Sequence, residues 1–247
     1  MVKVKKAIIL VSGGLDSVVT SYYTKKKLSY RELILLFFDY GQRTATMERF
    51  FAKKHAKVLG AKFIEVDTRS LGKFSTALIN KNKKIDDLSR ETLIKNPENE
   101  LKKWYVPCRN TLFLVYALAL AENLYFSKNQ KYDIFVGFKH EGRELYPDTT
   151  KGFLRQLMKL QKYILAHGKF RIVAPLMKYE KSDLIGLGKK LGINLRDTYS
   201  CYIGTKIHCG VCMNCRVRQE AFYWANMKDP TKYEKKPKDY RDASYKK

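Results

Sequence analysis

No stretch of this sequence is long and apolar enough to cross a membrane. The apolar run at residues 7–11 is also too short for the hydrophobic region of a signal peptide, and a glycine pair follows it directly. No internal repeat is visible. We therefore expect a cytoplasmic protein. Because 247 residues can bury one good core with room for a small appendage, we also expect one main domain.

Acidic residues are scarce. The chain has 24 Asp and Glu against 49 Lys and Arg, which gives a formal charge of +25 at pH 7. A positive field of this kind favours phosphate-rich ligands, including nucleotides and nucleic acid. The lysines are scattered, however, and the chain has no long arginine-rich arm, so a solvated lysine-rich surface explains the charge equally well. Charge alone therefore leaves nucleic-acid binding open.

Cysteine is rare over most of the chain, since four of the five lie between positions 201 and 215. In a cytosolic protein such clustering indicates metal binding, not disulfides. The spacing C-x₇-C-x₂-C-x₂-C can turn four thiolates toward one ion, which fills a tetrahedral zinc site and leaves no open position. We therefore predict a structural zinc bound by Cys201, Cys209, Cys212 and Cys215.

An iron–sulfur cluster is the competing interpretation of this cysteine group. The end of the spacing matches part of the C-x₂-C-x₂-C-x₃-C-P run, but Arg216 follows Cys215 and the last Cys-Pro element is missing. His208 is expected to be a bystander, because four cysteines already satisfy zinc. For the remaining thiol, Cys108, we prefer a small buried side chain over a nucleophile activated at a helix start.

A strand, a glycine turn and a helix are predicted near the beginning of the sequence. The apolar run at residues 7–10 precedes two glycines, and residues 18–27 can form a helix. Glycines let the backbone approach a ligand closely, and the amides of a helix start favour anions. A carboxylate fits beside phosphate when a cation such as Mg²⁺ lies between them. We expect a phosphate cradle formed by Val11, Ser12, Gly13, Gly14, Leu15, Asp16 and Ser17.

This cradle is neither a Walker A loop nor the Rossmann G-x-G-x-x-G turn. The pattern S-G-G-x-D-S instead resembles the signature of the PP-loop ATP pyrophosphatases, enzymes that adenylylate a carbonyl oxygen and release pyrophosphate. An ordinary turn with a capping Asp or Ser is the alternative.

The order of apolar runs and helical patterns predicts the fold. Strands are expected at residues 7–10, 32–39, 62–67, 134–137 and 171–174, and helices at 18–27, 46–59, 111–126, 152–166 and 179–191. Alternating strands and helices indicate an α/β fold, a doubly wound, Rossmann-like and mostly parallel five-stranded sheet, with a C-terminal zinc-binding element. Ligands of such folds lie at the carboxyl ends of the strands.

Polar residues are concentrated at that predicted edge. Residues 40–43 follow the second strand, and the polar loop 138–150 follows the fourth. Pro107 keeps its predecessor extended, so Arg109 and Asn110 should begin a helix. A cation and an amide at this point can face a ligand, although Arg109 could equally be an ordinary ion-pair partner.

We expect three regions along the chain. Residues 1–195 would form the nucleotide-binding and catalytic domain, in which the polar stretch 70–104 is a lid or a plain insertion. Residues 196–230 would hold the four cysteines and the helix after them, and 231–247 a basic tail.

Taken together, these motifs resemble the 7-cyano-7-deazaguanine synthases, queuosine-pathway members of the PP-loop superfamily, from residue 7 to about residue 230. The matching elements are Ser12-Gly13-Gly14-Leu15-Asp16-Ser17, Tyr40-Gly41-Gln42, Val106-Pro107-x-Arg109-Asn110, Tyr146-Pro147-Asp148, Pro175-Leu176 with Lys178 nearby, Thr198-Tyr199-Ser200-Cys201-Tyr202 and Cys209-Gly210-x-Cys212-x-x-Cys215-x-x-Arg218. The chain departs from the family at Cys108, where a small residue is usual, and in the loop 140–145 before Tyr146.

The resemblance implies an ATP-dependent ligase that converts 7-carboxy-7-deazaguanine and ammonia into the nitrile through an amide. It also implies structural zinc, Mg²⁺ with ATP, and a homodimer. The catalytic residues would be Asp16, Ser17 and Arg109. Substrate contacts would come from Tyr40, Gln42, Arg109, Asn110, Tyr146 and Asp148.

Two other functions stay open from the residues alone. A PP-loop enzyme that thiolates a tRNA base would suit the basic charge, with Cys108 as sulfur carrier. A non-catalytic zinc protein that binds nucleic acid would use the basic, tyrosine-containing tail.

Overall fold

The computed structural model describes residues 4–81, 83, 85, 102–139 and 146–235. The loop 140–145 and the tail beyond 235 therefore lie outside the described residues, as does most of the predicted lid. The strands are β1 (Lys6–Leu10), β2 (Glu32–Asp39), β3 (Lys62–Asp67), β4 (Tyr132–Phe135) and β5 (Ile172–Val173). The α-helices are α1 (Leu15–Lys26), α2 (Ala45–Leu59), α3 (Arg69–Phe74), α4 (Arg109–Lys128), α5 (Lys151–Ile164), α6 (Lys181–Lys190) and α7 (Met213–Trp224).

The described strands form one sheet of the order β3-β2-β1-β4-β5. All four pairings are parallel, and Ile8 of β1 lies between Ile34 of β2 and Ile134 of β4. The predicted α/β fold and the parallel five-stranded sheet are confirmed. The order reverses at β1, so the carboxyl ends of β1 and its two neighbours border one crevice, where such folds bind ligands.

Helices cover both faces of the sheet. Because successive strand residues point to opposite faces, neighbouring residues of one strand pack against different helices. Ile9 packs into a cluster with side chains of α1, α2, α6 and α7, whereas Ile8 packs with α4 and α5. Both isoleucines are fully buried. Each face therefore has its own apolar core, which holds the strand ends in fixed positions beneath the crevice.

Both ends of the polar stretch 70–104 pack near the end of β2. The backbone N–H of Leu78 donates to the carbonyl oxygen of Lys103 at 2.8 Å. Ile79 and Trp104 are buried in a small cluster with Tyr40. This stretch is thus anchored at both ends beside the crevice, and its role as a lid stays a prediction.

Arg218 joins α7 to the chain segments on either side of the cysteine-rich region. Its buried guanidinium donates to Thr198 Oγ1 at 2.8 Å, to the carbonyl oxygen of Leu195 at 2.7 Å and to Thr231 Oγ1 at 2.7 Å. Because a buried charge is costly unless hydrogen bonds surround it, this arginine fixes three chain segments at once. The division of the chain at residue 195 stays a prediction. Among the described residues, no helix is long and apolar enough to span a membrane.

Candidate active site

Gly13 forms the bottom of the cradle between β1 and α1. Its φ of 72° lies in the left-handed region, which glycine adopts without strain. A Cβ atom at this position would lie 2.6 Å from the carbonyl oxygen of Glu48 and 3.1 Å from the nitrogen of Ala52, both in α2. The cradle therefore rests directly on the first turns of α2, and any side chain would push the two apart.

The other cradle residues divide into side chains that support the turn and groups that face the crevice. Ser17 Oγ donates to the carbonyl oxygen of Gly14 at 3.1 Å and accepts from the backbone N–H of Ser12 at 3.1 Å. The side chains of Val11 and Leu15 are buried in the apolar core. These two residues can contact a ligand mainly through their backbone, which is how a helix start binds phosphate.

Asp16 aims a carboxylate into the crevice. Its Oδ1 is buried and has no hydrogen-bond partner among the described residues. Its Oδ2 lies 3.5 Å from Nζ of Lys181, the first residue of α6. A buried carboxylate oxygen is normally satisfied, so the orphaned Oδ1 fits a cation that comes with a phosphate ligand.

Lys181 is a site residue that the sequence analysis missed, because it singled out Lys178. Lys178 is exposed, whereas Lys181 borders the crevice beside Asp16. A sequence pattern could have located Lys181. Glu180 and Asp183 form a capping box, which marks Lys181 as the first residue of α6.

The crevice itself has a volume of about 320 Å³ and reaches from the cradle to the cysteine region. Aromatic side chains form its walls: Trp104 stacks on Tyr202 with ring centroids 4.4 Å apart, and Phe38 stacks on Phe113 at 4.0 Å. Flat, rigid walls of this kind suit a planar heterocycle.

A second cavity of about 240 Å³ adjoins the crevice and shares Asp16, Arg109 and Asn110 with it. Tyr146 lines this second cavity and stacks on Tyr105 at 5.5 Å. The two cavities thus meet at a carboxylate and a guanidinium, an arrangement that could hold two reacting molecules side by side.

Arg109 begins α4, as the sequence predicts, and lies over Tyr40. Its guanidinium carbon is 5.5 Å from the centre of the Tyr40 ring, and its Nη1 donates to Tyr40 Oη at 3.4 Å. Burial raises the pKa of Tyr40 to about 12, so the phenol stays neutral. Arg109 therefore keeps its positive charge available to a carboxylate or phosphate in either cavity.

Two other predicted substrate contacts are used inside the protein. Asp148 is buried and accepts from the side chain and backbone N–H of Asn110, at 3.2 and 3.3 Å. Gln42 is buried, accepts from the backbone N–H of Tyr40 and donates to Glu48 Oε2 at 3.0 Å. Neither Asp148 nor Gln42 is among the residues that line the two cavities. Their part in substrate binding stays a prediction.

Glu48 is a second residue that the sequence analysis missed. It lies in the first turn of α2 and lines the larger cavity. Burial raises the pKa of its carboxyl group, while hydrogen bonds from Thr44 and Gln42 oppose the shift. Its position could have been noticed from the sequence, since helix residues just after a strand end in this fold face the ligand edge.

The four predicted metal ligands are brought together. The Sγ atoms of Cys201, Cys209, Cys212 and Cys215 lie within 4.8 Å of one another, and all four side chains are buried. Backbone N–H groups donate to the sulfurs, as from Cys209 to Cys201 Sγ at 3.4 Å. Four thiolates with amide donors around them are a donor set suited to zinc.

The structure also tests the predictions made for His208 and Cys108. His208 Nε2 accepts from the backbone N–H of Ser200 at 3.0 Å, which agrees with the prediction that it is a bystander. The expectation of a buried thiol at Cys108 is wrong. Cys108 is exposed, because it lies with a φ of 57° in the turn that precedes α4, outside the apolar clusters of the described residues.

The parallel sheet and the glycine cradle at its switch point define an α/β fold with a candidate phosphate site, and four buried cysteines form a group that could hold a metal ion. Residues 6–226 match the family described as "Queuosine biosynthesis protein QueC", so the chain belongs to this family.

Curated relatives align with this chain over nearly their whole length. The chain is 35% identical to the 7-cyano-7-deazaguanine synthase of Methanosphaera stadtmanae, over 93% of this chain and 99% of that protein. It is 36% identical to the enzymes of the same name from Thermoplasma acidophilum, over 96% of each chain, and Methanocaldococcus jannaschii, over 92% and 99%. A solved structure, the U34-tRNA thiolase NcsA of Methanococcus maripaludis, aligns at 15% identity and a TM-score of 0.46, covering 90% of this chain and 65% of that one. That likeness is too distant to bear on function.

Proposed function

We propose that this enzyme is an ATP-dependent ligase that forms a carbon–nitrogen bond and converts 7-carboxy-7-deazaguanine and ammonia into 7-cyano-7-deazaguanine. The observation that carries the proposal is the full-length similarity to proteins named 7-cyano-7-deazaguanine synthase. The cradle and the two joined cavities support it, since the reaction needs a nucleotide and a planar acid in contact.

ATP is assigned to the cradle. A carboxylate is a poor electrophile, so one of its oxygens must become a leaving group before ammonia can attack. The backbone amides around Gly14 and the start of α1 would bind pyrophosphate, with Ser12 and Ser17 holding the turn. Asp16 would hold Mg²⁺ through its orphaned Oδ1, and the ion would offset phosphate charge. Positioning then supplies most of the acceleration.

The deazapurine acid is assigned to the junction of the cavities. Arg109 would orient its carboxylate toward ATP, and Tyr146 would line the adjoining space. Tyr40 and Asn110 support the guanidinium, since Tyr40 lies under it and Asn110 Oδ1 accepts from its Nε at 3.3 Å. Gln42 and Asp148 would act through Glu48 and Asn110, the groups that they contact.

Amide formation and nitrile formation would both use one site. Amination of the activated acid gives an amide, and activating the amide oxygen followed by elimination gives the nitrile. Zinc at the four cysteines would be structural, because four protein ligands leave no open coordination position. The enzyme would act as a homodimer in the cytoplasm.

The test is incubation of the purified, zinc-replete protein with Mg-ATP, ammonium and 7-carboxy-7-deazaguanine, with amide and nitrile measured by mass spectrometry. We expect nitrile formation, and loss of it in Asp16→Ala. Asp67→Ala is the matched control, since Asp67 ends β3 on the same sheet edge but is absent from the residues lining the crevice. No turnover of this substrate by the wild type would contradict the proposal and make tRNA the next ligand to test.

A further inference from the structure

We propose that Glu48 forms an ammonium-binding subsite and accepts a proton from the ammonium ion, delivering ammonia to the activated acid. This inference rests on the function proposed above. Among the described residues that line the larger cavity, the carboxylates belong to Asp16 and Glu48. Asp16 already faces Lys181 and the assigned phosphate site. Glu48 is therefore the carboxylate left to receive a cationic substrate.

The carboxylate of Glu48 is held in one orientation. Thr44 Oγ1 donates to its Oε1 at 2.6 Å, and Gln42 Nε2 donates to its Oε2 at 3.0 Å. Gln42 is itself fixed by two backbone bonds, to Tyr40 N–H and to the Phe38 carbonyl. A carboxylate oxygen can accept more than one hydrogen bond, so each oxygen keeps a lone pair for ammonium.

Glu48 also lies on the helix that packs against the phosphate cradle. Its own carbonyl oxygen contacts Gly13, so the first turn of α2 lies against the phosphate cradle. The rings of Tyr40 and Phe113, whose centroids are 5.6 Å apart, give the cavity that Glu48 lines an aromatic wall.

Burial favours proton transfer to Glu48 more than the nearby charges do. Arg109 lowers the pKa of the Glu48 carboxyl group and Asp39 raises it, while Tyr40, which contacts Arg109, stays neutral. Burial raises the pKa of Glu48 and thus makes it a stronger base than an exposed glutamate. The guanidinium of Arg109 disfavours a second cation beside it, so ammonium would lose a proton on approach.

Ammonium transfers one proton to the Glu48 carboxylate and becomes ammonia. The nitrogen lone pair then attacks the carbonyl carbon of the activated acid, a C–N bond forms, and the C–O bond to the nucleotide phosphate breaks with its electron pair going to the phosphate oxygen. A second N–H proton leaves to phosphate or water when the tetrahedral adduct collapses, and Glu48 returns its proton to solvent.

The experiment compares two nucleophiles in the wild type and in Glu48→Gln. Hydroxylamine is neutral near pH 7 and can trap the activated acid as a hydroxamate without losing a proton first. We expect Glu48→Gln to form hydroxamate within about two-fold of the wild type. Its ammonium-dependent amide formation should fall about 10²-fold or more, the usual contribution of a general base. Raising the pH should restore the rate, because free ammonia then becomes available.

Glu32→Gln is the matched control, since Glu32 is an exposed residue at the opposite end of β2, paired with Lys6. If Glu48→Gln loses both products equally, or keeps its full rate with ammonium, the inference is overturned. If the wild type itself forms no hydroxamate from 7-carboxy-7-deazaguanine, the proposed function fails and the inference with it.

A second variant covers the case in which Glu48→Gln does not fold. Thr44→Val removes the hydrogen bond that lowers the pKa of Glu48. The acidic limb of the ammonium-dependent pH profile should therefore move to higher pH, while the hydroxylamine profile stays in place. An unmoved limb would contradict a proton-accepting role for Glu48, because a purely structural role predicts no such shift.

Discussion

The backbone N–H of Tyr199 donates to the carbonyl oxygen of Gly13 at 2.9 Å. Tyr199 precedes the first cysteine of the metal cluster by two residues, and Gly13 forms the bottom of the phosphate cradle. Tyr199 also stacks on Phe51 of α2, with ring centroids 6.0 Å apart. The proposed zinc site is therefore tied through one loop to the residues assigned to ATP.

Loss of the metal should consequently weaken nucleotide binding. In Cys215→Ser, a buried ligand is removed, and we expect reduced zinc content, a lower melting temperature and weaker binding of an ATP analogue. Zinc is measured by atomic spectroscopy and binding by calorimetry. Cys108→Ser is the control, because Cys108 is exposed and lies outside the cluster. Nucleotide affinity that survives complete removal of zinc would refute this coupling.

Gly13→Ala should destabilise the fold as well as the cradle. The left-handed φ of 72° and the contact with the Glu48 carbonyl both oppose a side chain. We expect a loss of about 1–3 kcal/mol in the free energy of unfolding, measured by chemical denaturation, together with loss of ATP binding. Gly186→Ala is the comparison: it lies inside α6 with nothing within 4 Å of the added Cβ, so it should stabilise the protein slightly. Equal effects of the two variants would contradict this explanation.

Lys181 should contribute to nucleotide binding, whereas Lys178 should not. Lys181→Met removes the cation beside Asp16 and, on the assignment above, a partner of the phosphates. We expect the KM for ATP to rise about ten-fold or more, in line with a charge-assisted hydrogen bond worth roughly 1.5–3 kcal/mol. Lys178→Met changes an exposed residue three positions earlier and should leave the KM unchanged. Steady-state kinetics at varied ATP concentration distinguish the two, and a similar KM in both variants would remove Lys181 from the site.

Stability should fall on mild acidification because of His55. This residue is buried in α2, where its Nδ1 lies 3.1 Å from Tyr22 Oη and its Nε2 2.7 Å from the Asp197 carbonyl oxygen. Burial lowers its pKa below the ordinary value of 6.5. The unfolded chain therefore takes up a proton first as the pH falls below about 6.5, and the free energy of unfolding decreases toward the lower folded pKa.

Urea denaturation at pH values from 7.5 to about 5 measures this effect. His55→Gln should show a smaller pH slope than the wild type, whereas His167→Gln should not, since His167 is exposed. His208, whose pKa burial lowers to about 4, keeps part of the slope in both variants. An unchanged slope in His55→Gln would assign the acid sensitivity to other groups.

The sequence predicted the features that depend on local pattern. Apolar runs located all the strands of the described sheet, the glycine pair located the turn between β1 and α1, and the cysteine spacing located four side chains that the fold brings together. Lys181 and Glu48 lie near two helix starts that the sequence indicates, but only the folded sheet decides that both side chains meet the crevice. The exposure of Cys108 depends on one left-handed backbone conformation, which no residue preference at that position indicates.

The same limit applies to Gln42 and Asp148. Both carry the polar chemistry expected of ligand contacts, and both follow strand ends. Whether such a side chain faces a ligand or a neighbouring side chain is decided by packing, and in this fold each is buried against another polar residue.

The stacking of Trp104 on Tyr202 gives the protein an internal optical reporter. The chain has two tryptophans, and Trp224 is 57% exposed at the end of α7 whereas Trp104 is 6% exposed in the wall of the crevice. Emission from Trp224 should resemble that of an indole in water, so quenching by a soluble ion can remove it selectively. The remaining signal comes from the crevice wall, and a planar ligand entering there would change its intensity and wavelength without any label.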